Sequence, residues 1–424
     1  MRPFCIYKTV GLFNMIDLVL LRNNPEEIIV ALKKKEPAYD AQRLYELDGH
    51  VRTILLAVEQ LRSKKNELVD RAKGGIIDAI RQESIVLGKE LEKKERELER
   101  VKKDFFAHYL ECPNLLDVEV PAGDKNHNKV IKVFGKQTKF TFPVKHHVDL
   151  VTAAGWIDFE AGVRVSGSQF VVYKGDAVRL LYALTMFMLK HNQKYGFELV
   201  LPPYLVNEES LTVSSNLPKF KDQIYELKDD GLFLTPTAEV NLASMYRDHI
   251  FDQHDLPIRM TSWTSCFRRE AGGYGATERG LIRMHQFEKV ELYTLCIPEA
   301  SQKEQERMLA CAEELLQRLG LHYRVSLLAA QDCSFPSAKT YDIEVWLPGQ
   351  KEYYEVSSVS NCTDFQARRG MIRYKDSTNK KQLVHTLNGS SLALSRLMVA
   401  LVETYQNADG SITIPDVLKK EALF

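Results

Sequence analysis

A chain of 424 residues exceeds one ordinary domain, and its 45% hydrophobic content allows a large core, so two domains are expected. Basic and acidic residues balance at 57 each, which excludes a global basic field; any nucleic-acid contact must come from a local patch or shaped groove. No uninterrupted apolar run approaches membrane-spanning length, and seven scattered cysteines without a Cys-x-x-Cys pair read as reduced thiols of a cytoplasmic protein, without a dedicated zinc site.

Residues 1–14 carry basic residues and no acidic one but lack the apolar core of a signal peptide, so an extension of unknown role is expected there. The run IDLVLL reads as a short strand. A helix follows, with Asn24 as N-cap, Pro25 in its first position, and Glu26 and Glu27 in its first turn.

From about 42 to 111 the pattern becomes two long helices. Leu44, Leu47, Val51, Ile54, Val58, Leu61, Lys65, Leu68 and Ala72 recur at alternating spacings of three and four. Ile77, Ile80, Ser84, Leu87, Leu91, Lys94, Leu98, Val101 and Phe105 repeat the pattern, and Gly74-Gly75 suits a reversal between them. The expectation is an antiparallel two-helix coiled coil, an arm about 45 Å long. Charges of both signs cover its outer faces, as on a spacer or dimerisation coil. Lys64, Lys65, Arg71 and Lys73 on one helix, with Lys93, Lys94, Arg96, Arg100, Lys102 and Lys103 on the other, also suit RNA phosphates.

Residues 112–140, punctuated by proline, glycine and asparagine, read as a linker, and a second domain is expected over 141–424. His146 and His147 read as exposed polar residues before a helix in preference to metal ligands. Val178 to Lys190 forms an amphipathic helix. The strand FELVLPPYLV contains Pro202 and Pro203, which place it at an edge or an interface.

Thr235-Pro236-Thr237-Ala238-Glu239 lies where a short apolar strand meets a helix; by residue type Thr237 and Glu239 suit a helix cap first, and the same groups also suit a zwitterionic ligand. The stretch from Phe267 to Glu291, FRREAGGYGATERGLIRMHQFEKVE, reads as a strand, a glycine-rich connection and a returning strand. Its guanidinium groups suit phosphate oxygens and Phe287 suits a planar base. Neither phosphate-loop nor dinucleotide fingerprint is present. Near the end, Arg396 sits close to a helix start, where it opposes the helix dipole and would be compensated by a phosphate.

The stretch FRRE, glycine-rich loop, then Arg283, His285, Gln286, Phe287, Lys289 and Glu291, resembles motif 2 of the class II aminoacyl-tRNA synthetases in its seryl form. The helix and Pro202-Pro203 strand resemble motif 1, and the helix of Arg396 resembles motif 3. The likeness runs from Met15 nearly to the end and includes the arm. It implies an α+β protein: an antiparallel coiled-coil arm in a tRNA-binding domain over 15–111, plus an antiparallel β-sheet catalytic domain flanked by helices. It implies ATP-dependent joining of L-serine to tRNA-Ser through seryl-adenylate with release of AMP and pyrophosphate, leaves open tRNA-Sec as a second acceptor, and implies magnesium as cofactor and a homodimer built through motif 1.

By the same resemblance, Thr237, Ala238, Glu239, Arg268, Glu291, Asn388 and Ser390 bind serine. Arg268, Arg269, Glu270, Arg283, Met284, His285, Gln286, Phe287, Glu355, Val356, Ser357, Ser358 and Arg396 bind ATP, with Arg268 and Arg396 catalytic and Glu355 and Ser358 on magnesium. Plain strand alternation would put Glu355 with Ser357, so reaching Glu355 and Ser358 together requires a bulge or a strong twist. A chain-specific departure, Gln331-Asp332-Cys333, receives no role. The rival reading is a non-catalytic paralogue, a dimeric RNA-binding or regulatory protein on the same fold.

Overall fold

The computed structural model describes residues 15–73, 78–271 and 280–421, and the chain divides between Pro113 and Asn114 into two units. The extension 1–14, the reversal at Gly74-Gly75 and most of the glycine-rich connection lie outside the described residues.

In the N-terminal unit the run IDLVLL is not a strand but the start of helix α1 (Leu18–Asn23), opened by Asp17, whose carboxylate accepts the Val19 N–H at 2.8 Å. So short an apolar run has no resolvable period, and the cap decides its conformation. Asn24 then precedes α2 (Pro25–Lys35) as expected, although its side chain makes no capping bond. The two long helices are α3 (Ala41–Ala72) and α4 (Asp78–Leu110), 32 and 33 residues or about 48 Å each. Arg62 pairs with Glu95 and Arg71 with Glu83, so partners run in opposite directions and the pair is antiparallel. Ile54, Val58 and Leu61 pack with Leu91 and Leu98, while Lys65 leaves the seam for solvent. The seam holds this unit together, because exposed ion pairs contribute only about 0–1 kcal/mol each.

In the second unit, the segment 112–140 does more than connect: it supplies β1 (Lys129–Phe134) to an eight-stranded sheet. The other strands are β2 (Glu198–Leu199), β3 (Ile258–Phe267), β4 (Gln286–Cys296), β5 (Tyr323–Leu327), β6 (Lys339–Leu347), β7 (Glu352–Asn361) and β8 (His385–Ala393). Their order is β1-β5-β6-β7-β8-β4-β3-β2. All neighbours are antiparallel except β2 beside β3. Pro202 and Pro203 lack the N–H that a ladder needs, so β2 stops at two residues on the sheet edge.

Alternation gives this sheet two different faces. Ile343, Val345, Val290, Val356 and Leu392 point to one side and pack against helices α6 (Asp176–Lys194), α8 (Ser301–Arg318) and α9 (Leu394–Thr404), through Phe187, Leu315, Leu316 and Leu397. Each such side chain contributes about 1.5–3 kcal/mol by leaving water. The other face is polar and carries the site.

His147 departs from expectation. It opens α5 (His147–Ala153) fully buried, and its Nδ1 lies 3.1 Å from Oε1 of the equally buried Glu403. Glu403 also accepts the Gly349 N–H at 2.8 Å, and His146 caps the helix by accepting the Val148 N–H. The three side chains come within metal-ligand range of one another, but backbone groups occupy the ring nitrogen of His146 and the carboxylate of Glu403. The six cysteines among the described residues are all free and buried. Among the described residues no helix is long and apolar enough to cross a membrane.

Candidate active site

The polar face of the sheet is lined by residues two apart on each strand. On β4 these are Phe287, Lys289, Glu291 and Tyr293, facing Ser262 and Thr264 of β3. A register shift between Val290 and Glu291 skips Ser391 on β8, so that Ser390 and Asn388 stand opposite Glu291 and Tyr293. A second shift, between Ile343 and Glu344, leaves Val356 as an extra residue on β7. Glu355 then pairs with Glu344, and Ser358 with Asp342. This is the bulge that the Glu355–Ser358 spacing demanded. Val356 itself is buried, and the hydroxyl of Ser357 donates to the carbonyl of Ser390 at 2.5 Å.

Thr237 caps helix α7 (Ala238–Ser244), accepting the Glu239 N–H at 3.3 Å. Its hydroxyl also donates to Glu291 Oε2 at 2.7 Å, so the cap and the pocket share one side chain. Ala238, fully buried, begins the helix behind it. Glu239 Oε1 accepts from Gln366 at 2.7 Å and from Asn388 at 3.0 Å. Burial first, and the nearby Glu291 second, push the Glu239 carboxyl up to about 7. Lys289 pairs with Glu291 and donates to Thr237 Oγ1 at 2.7 Å.

Arg268 ends β3 beside this corner. Its Nε donates to the Pro236 carbonyl at 3.2 Å and its guanidinium lies 5.1 Å from the centre of the Phe287 ring. The Arg268 backbone N–H and carbonyl bond His285, through its carbonyl at 2.9 Å and its Nδ1 at 3.0 Å, which ties the two strands together where they leave the sheet. Glu270 has left-handed backbone, φ 47°, a conformation costing about 1–2 kcal/mol for a residue with a Cβ. Its carboxylate meets Arg283 at 3.2 Å. Where the chain returns, Gly280 (φ +87°) passes so close to α5 that a Cβ would lie 2.5 Å from His147 Nε2.

Arg396 is the third residue of α9 and donates to the carbonyl and the carboxylate of Glu355, at 3.0 and 3.2 Å. Nearby, Arg324 holds Glu344 through two bonds of 2.8 Å. Asp342 has a hydrogen bond with Ser358, while among the described residues its buried Oδ1 finds no partner. Burial, then the charge of Glu355, hold its carboxyl well above the usual range.

These residues enclose a cavity of about 160 Å³ lined by Arg268, Glu270, Arg283, Met284, Phe287, Lys289, Glu355, Val356, Ser390 and Arg396, among others. Arg283, Glu355 and Arg396 also line an adjoining chamber of about 540 Å³, with Asp332, Asp342 and Glu344. Not every expected residue lines these spaces: Thr237, Ala238, Glu239, Glu291, Ser357, Ser358 and Asn388 line neither. Arg269 is exposed and lines neither. Gln286 lines a separate cavity, with Trp263 and Glu288. His285 acts through the Arg268 backbone. Lys289, Gln366 and Asp342 received no role from sequence. Lys289 was within reach of such reasoning, two residues before Glu291 on one strand; Gln366 and Asp342 enter only through long-range pairing.

Two family models match the chain: the seryl-tRNA synthetase N-terminal domain over residues 15–116, and the tRNA synthetase class II core domain (G, H, P, S and T) over 220–405. A serine--tRNA ligase of Desulfotalea psychrophila is 47% identical over 386 residues, 88% of this chain and 91% of that relative. One from Leptospira biflexa is 43% identical over 414 residues, 96% of this chain and 99% of that one. Among solved structures, the seryl-tRNA synthetase of Pyrococcus horikoshii complexed with ATP superposes with a TM-score of 0.90 at 36% identity, covering 97% and 98% of the two chains. The cytoplasmic serine-tRNA ligase of Naegleria fowleri with AMP gives 0.84 at 26%, covering 96% and 97%.

Proposed function

The chain belongs to the seryl-tRNA synthetase family, and from that premise we propose how its residues divide the work of charging tRNA. The protein is a class II ligase that attaches serine to tRNA at the expense of ATP. Glu239 holds the serine ammonium, with Asn388 and Gln366 fixing its carboxylate. Glu291, oriented by Thr237, accepts the serine hydroxyl proton, and Ser390 closes the opposite wall. The serine carboxylate attacks the α-phosphorus of ATP, a P–O bond to pyrophosphate breaks, and seryl-adenylate forms. A terminal ribose hydroxyl of the tRNA then attacks the acyl carbon and AMP leaves.

Arg268 and Arg396 stabilise the charge developing on the phosphates, where preorganised cations are worth most. Phe287 stacks on adenine, and Arg283 serves the triphosphate. Arg396 must exchange Glu355 for phosphate as ATP enters, which frees Glu355. The residues there fit a hard divalent cation: all are oxygen donors, and the buried Asp342 Oδ1 has no partner. Magnesium, held by Glu355 and Ser358, would neutralise phosphate charge.

The observation that carries this reading is the hydrogen-bonded convergence of Thr237 on Glu291 and of Asn388 on Glu239, beside Arg268 and next to the cavity wall formed by Lys289 and Ser390. Amino-acid-dependent exchange of labelled pyrophosphate into ATP tests it: exchange with serine is expected to exceed that with alanine, threonine or glycine by about 10³-fold or more, and no exchange with serine would sink it.

The partner RNA in this reading is tRNA-Ser, tracked by the coiled coil of the domain spanning 15–111 through basic groups such as Lys64 and Lys65. Deleting residues 45–108 should abolish aminoacylation while sparing pyrophosphate exchange; retained aminoacylation would remove the arm from RNA binding. The protein acts as a cytoplasmic homodimer. Supporting the dimer, Tyr182, Met186, Leu199, Leu201 and Leu205 leave apolar surface exposed around the β2 edge.

A further inference from the structure

Lys289 is 8% exposed, an unusual position for an ammonium group. Alternation along β4 puts it on the same face as Glu291, and among the described residues its Nζ has two partners, Thr237 Oγ1 and Glu291. An ammonium carries three N–H donors. Lys289 lines the 160 Å³ cavity with Arg268 and Ser390, so its remaining donor borders the space a ligand enters. Arg268 already supplies a cation beside the corner, and Thr237 already donates to Glu291. A lysine here therefore adds something neither provides: a donor adjoining the acceptor Glu291, on the same wall.

We propose that Lys289 is a specificity residue that donates its third N–H to the hydroxyl oxygen of serine while Glu291 accepts the hydroxyl proton. This rests on the assignment of Glu291 to the serine hydroxyl and extends it. A site that both donates and accepts is matched by a hydroxyl and by no methyl group or hydrogen atom. Alanine and glycine leave the third N–H of Lys289 and one acceptor position of Glu291 without the partner a hydroxyl supplies, while the ion pair between them persists; a buried donor and acceptor left unmatched is the situation that yields large discrimination. A carboxylate alone would ask only for a donor.

The test is pyrophosphate exchange with serine and with alanine, for the unaltered protein and for Lys289→Met. The expected result is a fall in kcat/KM for serine of about 100-fold. Exchange with alanine should stay within about threefold, so that the serine-to-alanine ratio collapses, with the Kd for ATP by calorimetry unchanged. A merely structural lysine would lower both amino acids in parallel, and that outcome, or an unchanged ratio, would overturn the proposal. Lys289→Gln keeps one amide donor and gives the same readout with a smaller collapse, should the methionine variant not fold. An unaltered protein that showed no serine-dependent exchange would instead overturn the underlying site assignment.

Discussion

In the amino-acid corner of the sheet, the polar side chains are hydrogen-bonded to one another before any ligand arrives: Thr237 to Glu291, Asn388 and Gln366 to Glu239. On the phosphate flank of the same face, charges that would meet ATP are paired among themselves, Arg396 with Glu355 and Arg283 with Glu270, and Asp342 Oδ1 has no partner. On the proposed assignment the first region is already organised, so that serine would enter without rearranging it and a mismatched side chain would leave a donor and an acceptor unmatched. The second must exchange ion pairs for phosphate contacts. Discrimination therefore belongs to the corner and assembly to the flank.

The strongest way to break this division is Glu291→Ala. Serine-dependent pyrophosphate exchange should fall by about 10³–10⁴, with the Kd for ATP within about threefold of the parent. A comparable loss of ATP affinity would mean the two regions act as one. Next, Arg396→Ala should lower kcat/KM for ATP by about 10²–10³ and leave the KM for serine little changed. A large rise in the serine KM would again merge the regions.

The smallest effect sharpens the contrast through pH. Burial and Glu291 raise the Glu239 carboxyl to about 7, so below that pH it is protonated and pairs poorly with an ammonium group. The KM for serine should rise about tenfold between pH 8 and pH 6, following the ionised fraction, while the KM for ATP stays flat. The sign is fixed by the direction of the shift: a raised carboxyl pKa costs the charged form, so binding that requires the charge weakens as pH falls. A serine KM independent of pH across that range would remove Glu239 from ammonium binding.

The long helices were legible because their seam repeats over many turns, enough for period alone to decide. The bulge at Val356 was legible indirectly, since Glu355 and Ser358, three residues apart, share a face only where a strand is bulged or strongly twisted. Helix α1 was not, because a run of six residues, five of them apolar, supports either conformation and the deciding contact was one Asp17 bond. The burial of His147 depends on Glu403, 256 residues away, and β1 gains its role only by pairing with β5. Lys289 stood in plain view within the motif, yet a lysine between acidic residues reads as surface until the sheet encloses it.

The two borders of the eight-stranded sheet differ in how they refuse further growth. On β1 every residue is exposed, and Val130, Ile131 and Val133 alone would make a sticky template for a stray strand. Lys129 and Lys132 interrupt them, the latter tethered to Glu313 at 2.7 Å, and a charge on an incoming chain's path discourages pairing. At the opposite border β2 offers two residues before Pro202, too few to nucleate a neighbour. Each border thereby denies an incoming strand the uninterrupted ladder that edge-to-edge pairing needs.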